Sequence, residues 1–234
     1  MKKFEVVLAA CAGVALSLSV GAGFASAAGG TISGTVKYGG TASSPKEVEV
    51  TKDKEVCGLH KHFEEDLIVD SGGGIANAVV IVKGAKGEAK PGDVTFDQKG
   101  CDYVPHVLAF PAGSTVDIVN SDGILHNIHT YSTANPPFNM AQPKFKKVIK
   151  QKIDKPEVIK VSCDAHGWMH GWWVATDTPY FAVTDDKGNY TIKDVPAGDY
   201  TVEVWQEKLG TDDQKASVKD GGSTTTDFTL KPKA

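Results

Sequence analysis

Arginine is absent: all 25 basic side chains are lysine, against 29 acidic ones, for a formal net charge of −4 over 234 residues. Nucleic-acid recognition leans on the planar guanidinium, so an acidic chain without one is set aside as a nucleic-acid binder. Long apolar runs are missing too, with one exception at the start. Val6 to Phe24 is uncharged and rich in Val, Leu, Ala and Gly; it follows the basic Met1-Lys2-Lys3 and runs into Ala25-Ser26-Ala27. That is the basic, apolar and small-x-small order of an export signal, and its cleavage pattern argues against a retained anchor. Leu8-Ala9-Ala10-Cys11 mimics a lipoprotein box, but most of the apolar run lies behind it. Residues 1–27 are therefore read as a signal peptide and the mature chain as periplasmic or secreted, without a membrane span. Cysteine is scarce: Cys57, Cys101 and Cys163 follow the signal. An oxidising compartment favours pairing two of them, which leaves one to explain. No Ser/His/Asp or paired-carboxylate arrangement stands out, so no catalytic residue is named and the chain is not read as an enzyme.

No long helical pattern follows the signal. Short β-rich runs separated by Gly, Pro, Asp and Asn extend from Thr31–Tyr38 to Thr224–Leu230. Many short strands with turn signals between them indicate an all-β sandwich or barrel. Residues 41–74 are small or polar and read mostly as loop. About 207 residues remain after the signal, enough for one large or two small β domains.

The last third is regular. Ala182-Val183-Thr184, the turn Asp185-Asp186-Lys187-Gly188-Asn189 and Tyr190-Thr191-Ile192 predict a hairpin, and Tyr200–Trp205 alternates as a half-buried strand does. This segment resembles the carboxypeptidase-regulatory-like, or transthyretin-like, β-sandwich. The opening strands of such a module resemble Gly30–Val36 and Asn77–Val82, which lie far upstream. The expected organisation is one sandwich split into residues 28–95 and 177–234 by a domain at 96–176; the alternative is one enlarged sandwich.

Within residues 96–176 lies the chemistry. Ile159, Val161 and Cys163 share one face of a strand, so the thiol points inward where that strand ends. His166 and Met169 follow in a short loop, giving Cys-x2-His-x2-Met. A thiolate, an imidazole and a thioether converging on one point suit soft copper; with a second imidazole this becomes the type 1 electron-transfer set. Asn120-Ser121-Asp122-Gly123-Ile124-Leu125-His126-Asn127 places a loop and a histidine before a new strand.

Together these stretches resemble the plastocyanin and amicyanin family of cupredoxins, over about 80 residues. The resemblance implies a Greek-key β-sandwich binding one type 1 copper. His126, Cys163 and His166 would be equatorial ligands and Met169 axial, with Asn127 restraining the thiolate loop from outside. His170, next to the Met, competes for the axial place, and Met169 is preferred for its softness. His129 lies on the opposite face of its strand from His126, so both cannot face one ion. Chains with this arrangement are often labelled methylamine-utilisation-like. The expected function is one-electron transfer with an unidentified redox protein partner, electrons passing through His166 at the surface. Alternatives are a copper module for storage, delivery or sensing, or an interaction module with a structural metal.

A binuclear copper site would need a second cysteine in the ligand loop, and a trinuclear one several His-x-His pairs. Only His60-Lys61-His62 exists. Cys57 and Cys101 are expected to form a disulfide; the alternative joins Cys57, His60 and His62 into a second metal site with Cys101 or His106. Lys144, Lys146, Lys147, Lys150, Lys152 and Lys155 read as a protected edge strand or a docking surface for an acidic partner. Trp168, Trp172 and Trp173 flank the ligand loop, as core or as an exposed contact patch.

Overall fold

The computed structural model describes Met1 and residues 29–232; apart from Met1, the expected signal peptide lies outside the described residues. Among them the chain is all-β apart from one short helix, Lys54–Cys57. Two sandwiches share it, one cupredoxin-like and one carboxypeptidase-regulatory-like.

The regulatory-like sandwich is assembled from both ends of the chain. In one sheet Gly30–Tyr38 pairs antiparallel with Asn189–Val195 and parallel with Ser223–Thr225 and Phe228–Leu230. The other orders Phe181–Val183, Val79–Lys83, Gly198–Gln206 and Gly210–Val218. Between them lies an aliphatic core that includes Ile32, Val36, Val80, Val82, Val202 and Val204. The cupredoxin-like sandwich uses the strands between. Its five-stranded sheet orders Asn139–Gln142, His126–Thr130, Glu157–Ser162, His170–Thr176 and Val107–Pro111. Its four-stranded sheet orders Val148–Lys152, Thr115–Asn120, Asp93–Lys99 and Asp102–Val104. Here the core is aromatic: Phe96 stacks on Tyr103 and meets Trp173 edge to face.

Strand patterns follow burial. Thr115–Asn120 alternates inward and outward because only one face of its sheet meets a core. Val79–Lys83 is apolar on both faces for a different reason. Val80 and Val82 fill their own sandwich, while Val79 and Ile81 pack on Val107 and Val174 of the other. Trp172 and Trp205 meet across the same boundary. Gly171 permits another close approach, since a Cβ there would lie 2.8 Å from the His106 carbonyl oxygen. The backbone N–H of Trp172 donates to that same oxygen at 2.9 Å.

Several strands escape the sequence reading. Gly210–Val218 is an edge strand whose buried side chains are only Ala216 and Val218. Asp93–Lys99 hides its inward Phe96 and Gln98 among charges. Val148–Lys152 is an edge strand, as its lysines suggest, and Lys150 pairs with Asp117 of the adjoining strand and Asp93 of the one beyond it.

The polar segment before residue 70 is a strap. A short hairpin pairs Glu47–Val48 with His62–Phe63, and the Lys54–Cys57 helix lies between. Cys57 and Cys101 are disulfide-bonded, with Cα atoms 5.3 Å apart. This removes the alternative in which those cysteines help hold a second metal. His62 is committed too, one ring nitrogen to Asp102 and the other to the Cys57 carbonyl.

Candidate metal centre

Two strands and one loop bring the candidate ligands together. His126 opens the strand His126–Thr130. Its loop is fixed by buried Asn120, whose Nδ2 donates to the carbonyls of Ile124 at 2.8 Å and Gln142 at 3.0 Å. Cys163 ends the run after Glu157–Ser162, pointing inward as Ile159 and Val161 do. Its N–H donates to the Met169 carbonyl at 3.0 Å, and the Met169 N–H to the His166 carbonyl at 2.9 Å. These bonds close residues 163–169 into a tight loop.

The inner donor atoms form a triangle. His126 Nδ1 and His166 Nδ1 are 3.0 Å apart, and Cys163 Sγ lies 3.9 and 3.8 Å from them. The point equidistant from the three lies roughly 2.1 Å from each, within the range of metal–imidazole and metal–thiolate bonds. All three side chains are buried, and Met169, 2% exposed, lies in the core cluster that holds Cys163. A thiol, two imidazoles and a thioether in a dry pocket fit copper by their softness.

The outer nitrogens face carboxylates. His126 Nε2 is 2.9 Å from Asp122 Oδ2, and His166 Nε2 is 2.8 Å from Asp53 Oδ2. Such pairs orient a ring and leave its other nitrogen free to ligate. Asp122 also accepts the N–H groups of Gly100 and Cys101, which ties this loop to the disulfide. Asn127 holds the thiol from behind. Its N–H donates to Cys163 Sγ at 3.4 Å, and its Oδ1 accepts the Ala165 N–H at 3.0 Å.

Electrostatics agree with this arrangement. Burial alone would push the Cys163 thiol up, but the His126 imidazole and the N–H groups of Asn127 and His166 hold it below its ordinary value. For His126, burial pushes down, yet Asp122 and Cys163 together raise it to about 9. His166 is lowered, chiefly by burial and by the neighbouring His126, with Asp53 opposing.

Some expectations need correcting. His166 is not at the surface: it is 0% exposed, covered by Asp53 of the strap and flanked by Trp168. An electron path that leaves through an exposed His166 is therefore excluded. Nor do the tryptophans form an exposed patch. Trp173 is core, Trp172 lies at the boundary between the sandwiches, and half-buried Trp168 donates to the Cys101 carbonyl. His170 turns away from the triangle toward Glu207, and His129 pairs with Asp164 outside it. Sequence reasoning missed both carboxylates. Asp122 stood within the quoted loop; Asp53, 113 residues before His166, carried no local signal.

The carboxypeptidase regulatory-like domain family matches residues 173–231, which begins inside the last strand of the cupredoxin-like sandwich. No curated protein matches the chain. Among solved structures, a purple cupredoxin from Nitrosopumilus maritimus is 22% identical, with 36% of this chain and all of that one covered, at a TM-score of 0.31. A copper(I) amicyanin variant is 17% identical over 42% of this chain and 98% of its own, TM-score 0.33. A copper-containing nitrite reductase from Thermus scotoductus is 25% identical over 42% of this chain but only 25% of its own, TM-score 0.34. At such scores the likeness adds nothing to the strand pairings and donor distances, which stand by themselves.

Proposed function

We propose that this protein is a secreted one-electron carrier holding one type 1 copper, with His126, Cys163 and His166 as strong ligands and Met169 as the weak axial one. The donor triangle is the observation that supports this, because its centre lies at bonding distance from two nitrogens and one sulfur. Bound copper would supply one-electron chemistry by alternating between Cu(I) and Cu(II). The chain's own residues hold the geometry. Asp122 and Asp53 fix the two rings, Asn127 restrains the thiolate, and two backbone hydrogen bonds close the 163–169 loop. A framework that changes little between redox states keeps the reorganisation small.

Export rests on residues 1–27, and a redox protein partner is implied by the carrier role. Burial of all four ligands argues for a carrier over a copper-delivery module, whose ion must leave readily. The test is voltammetry of the copper-loaded chain beside incubation with a strong Cu(I) chelator. A reversible one-electron wave with copper retained supports the carrier; an irreversible wave with copper stripped within minutes sinks it.

A further inference from the structure

A second cluster of metal-ligating side chains lies where the two sandwiches meet. His106 precedes the strand Val107–Pro111, and His170 opens the strand His170–Thr176. Glu207 comes from the other sandwich, directly after Gly198–Gln206. One donor atom from each lies within 4.8 Å of the others. His106 Nε2 is hydrogen-bonded to Glu207 Oε1, and His170 Nε2 stands 3.8 Å from Oε2. The two imidazoles cross edge to face at 5.2 Å. Trp172 Nε1 donates to Glu207 Oε2 at 2.6 Å, which fixes the carboxylate between the rings.

A simple ion pair leaves features of this cluster unexplained. The side chains of His106 and Glu207 are only 3% and 6% exposed, so the carboxylate is committed to a dry boundary. His106 Nδ1 is buried without a hydrogen bond, while a second carboxylate, Glu65, stands 3.4 Å away. Burial pushes His106 down, yet Glu207 and Glu65 raise it to about 9, so the pocket favours positive charge. A cleft of about 260 Å³, lined in part by Glu65, His62, Phe63, Trp168 and His170, opens beside it.

We propose that His106, His170 and Glu207 form a second metal site that clips the two sandwiches together, with Glu65 beside the outward His106 nitrogen, away from the ion. Two imidazoles and a carboxylate without sulfur suit a borderline divalent cation of the zinc type rather than calcium or magnesium, which take oxygen ligands. The ion takes the place of the proton shared by His106 and Glu207, and that proton leaves to solvent.

The experiment equilibrates the copper-saturated mature chain, and its Cys163→Ser form, with zinc chloride. After desalting, zinc per chain is counted by elemental analysis and thermal unfolding is followed. The expected result is one bound zinc that His170→Gln and Glu207→Gln each weaken at least tenfold, with a zinc-dependent rise in Tm that both variants lose. Should Glu207→Gln fold poorly, His170→Gln at its partly exposed position decides alone. Should the donor triangle take zinc instead of copper, two zinc ions bind and the variants remove one. No zinc beyond the triangle's, or zinc undiminished in the variants, overturns the proposal.

Discussion

Two pairs of histidines in this chain differ in where the carboxylates stand. Around His126 and His166 the carboxylates are outside: Asp122 and Asp53 take the outer nitrogens, and both Nδ1 atoms face Cys163. Around His106 and His170 the carboxylate is inside, with Glu207 between the rings. The same imidazole thus serves a soft pocket or a hard one, and its neighbours decide which. The scaffolds differ accordingly. The soft pocket sits within one sandwich and is closed by a disulfide-anchored strap; the hard one spans two sandwiches.

The largest effect is expected from opening the strap. Replacing Cys57 and Cys101 together by Ala should cost roughly 3–4 kcal/mol in urea unfolding, since the bridge closes a long loop. It should also expose the His166 edge to hydrogen exchange; unchanged protection there would mean that the strap packs without its covalent tie.

The second cluster predicts an alkaline effect in the metal-free chain. His106 is raised from 6.5 to about 9, so its pairing contributes fully below pH 6.5 and is lost as pH rises through about 9. Roughly 3 kcal/mol of unfolding free energy should disappear across that window. Glu207→Gln should flatten the slope; a slope that survives would assign it to other groups.

Glu157 supplies an acidic counterpart away from both clusters. Its carboxylate accepts the N–H groups of Thr133, Ala134 and Asn135 and the hydroxyls of Ser132 and Thr133. Burial opposes ionisation there, but these donors hold the acid far below its ordinary value. Its contribution is therefore present above the unfolded value near 4.5 and lost as pH falls below it. Glu157→Gln should cost about 1–3 kcal/mol at pH 7 and remove that acid sensitivity, read by unfolding midpoints at pH 7 and pH 3.

The smallest stability change belongs to Asp53→Ala. It should cost about 1 kcal/mol or less in folding, while lowering copper affinity by roughly 10–100-fold through the loosened His166 ring. Equal affinity in a competition titration would show that Asp53 covers the ring without orienting it.

What could be read from the sequence followed the range of each signal. Thr115–Asn120 and Val79–Lys83 were legible because apolar spacing is local. That Val79 and Ile81 face a second sandwich was not, since nothing near them in sequence names the partner. Gly210–Val218 was missed because a polar edge strand is held by hydrogen bonds with Gly198–Gln206, not by burial. The Cys163-x2-His166-x2-Met169 spacing was legible from a seven-residue span, and His126 was preferred over His129 on the resemblance; the structure brings His126, Cys163 and His166 together. Asp53 and the His106–Glu207 contact depend on separations of about a hundred residues, which only the fold brings together.

The most direct test of the donor triangle is the visible absorption and EPR spectrum of residues 28–234 loaded with Cu(II), beside Cys163→Ser. An intense thiolate-to-copper band with compressed hyperfine splitting, absent in the variant, is the predicted result. A pale, ordinary Cu(II) spectrum that the substitution leaves unchanged would contradict it.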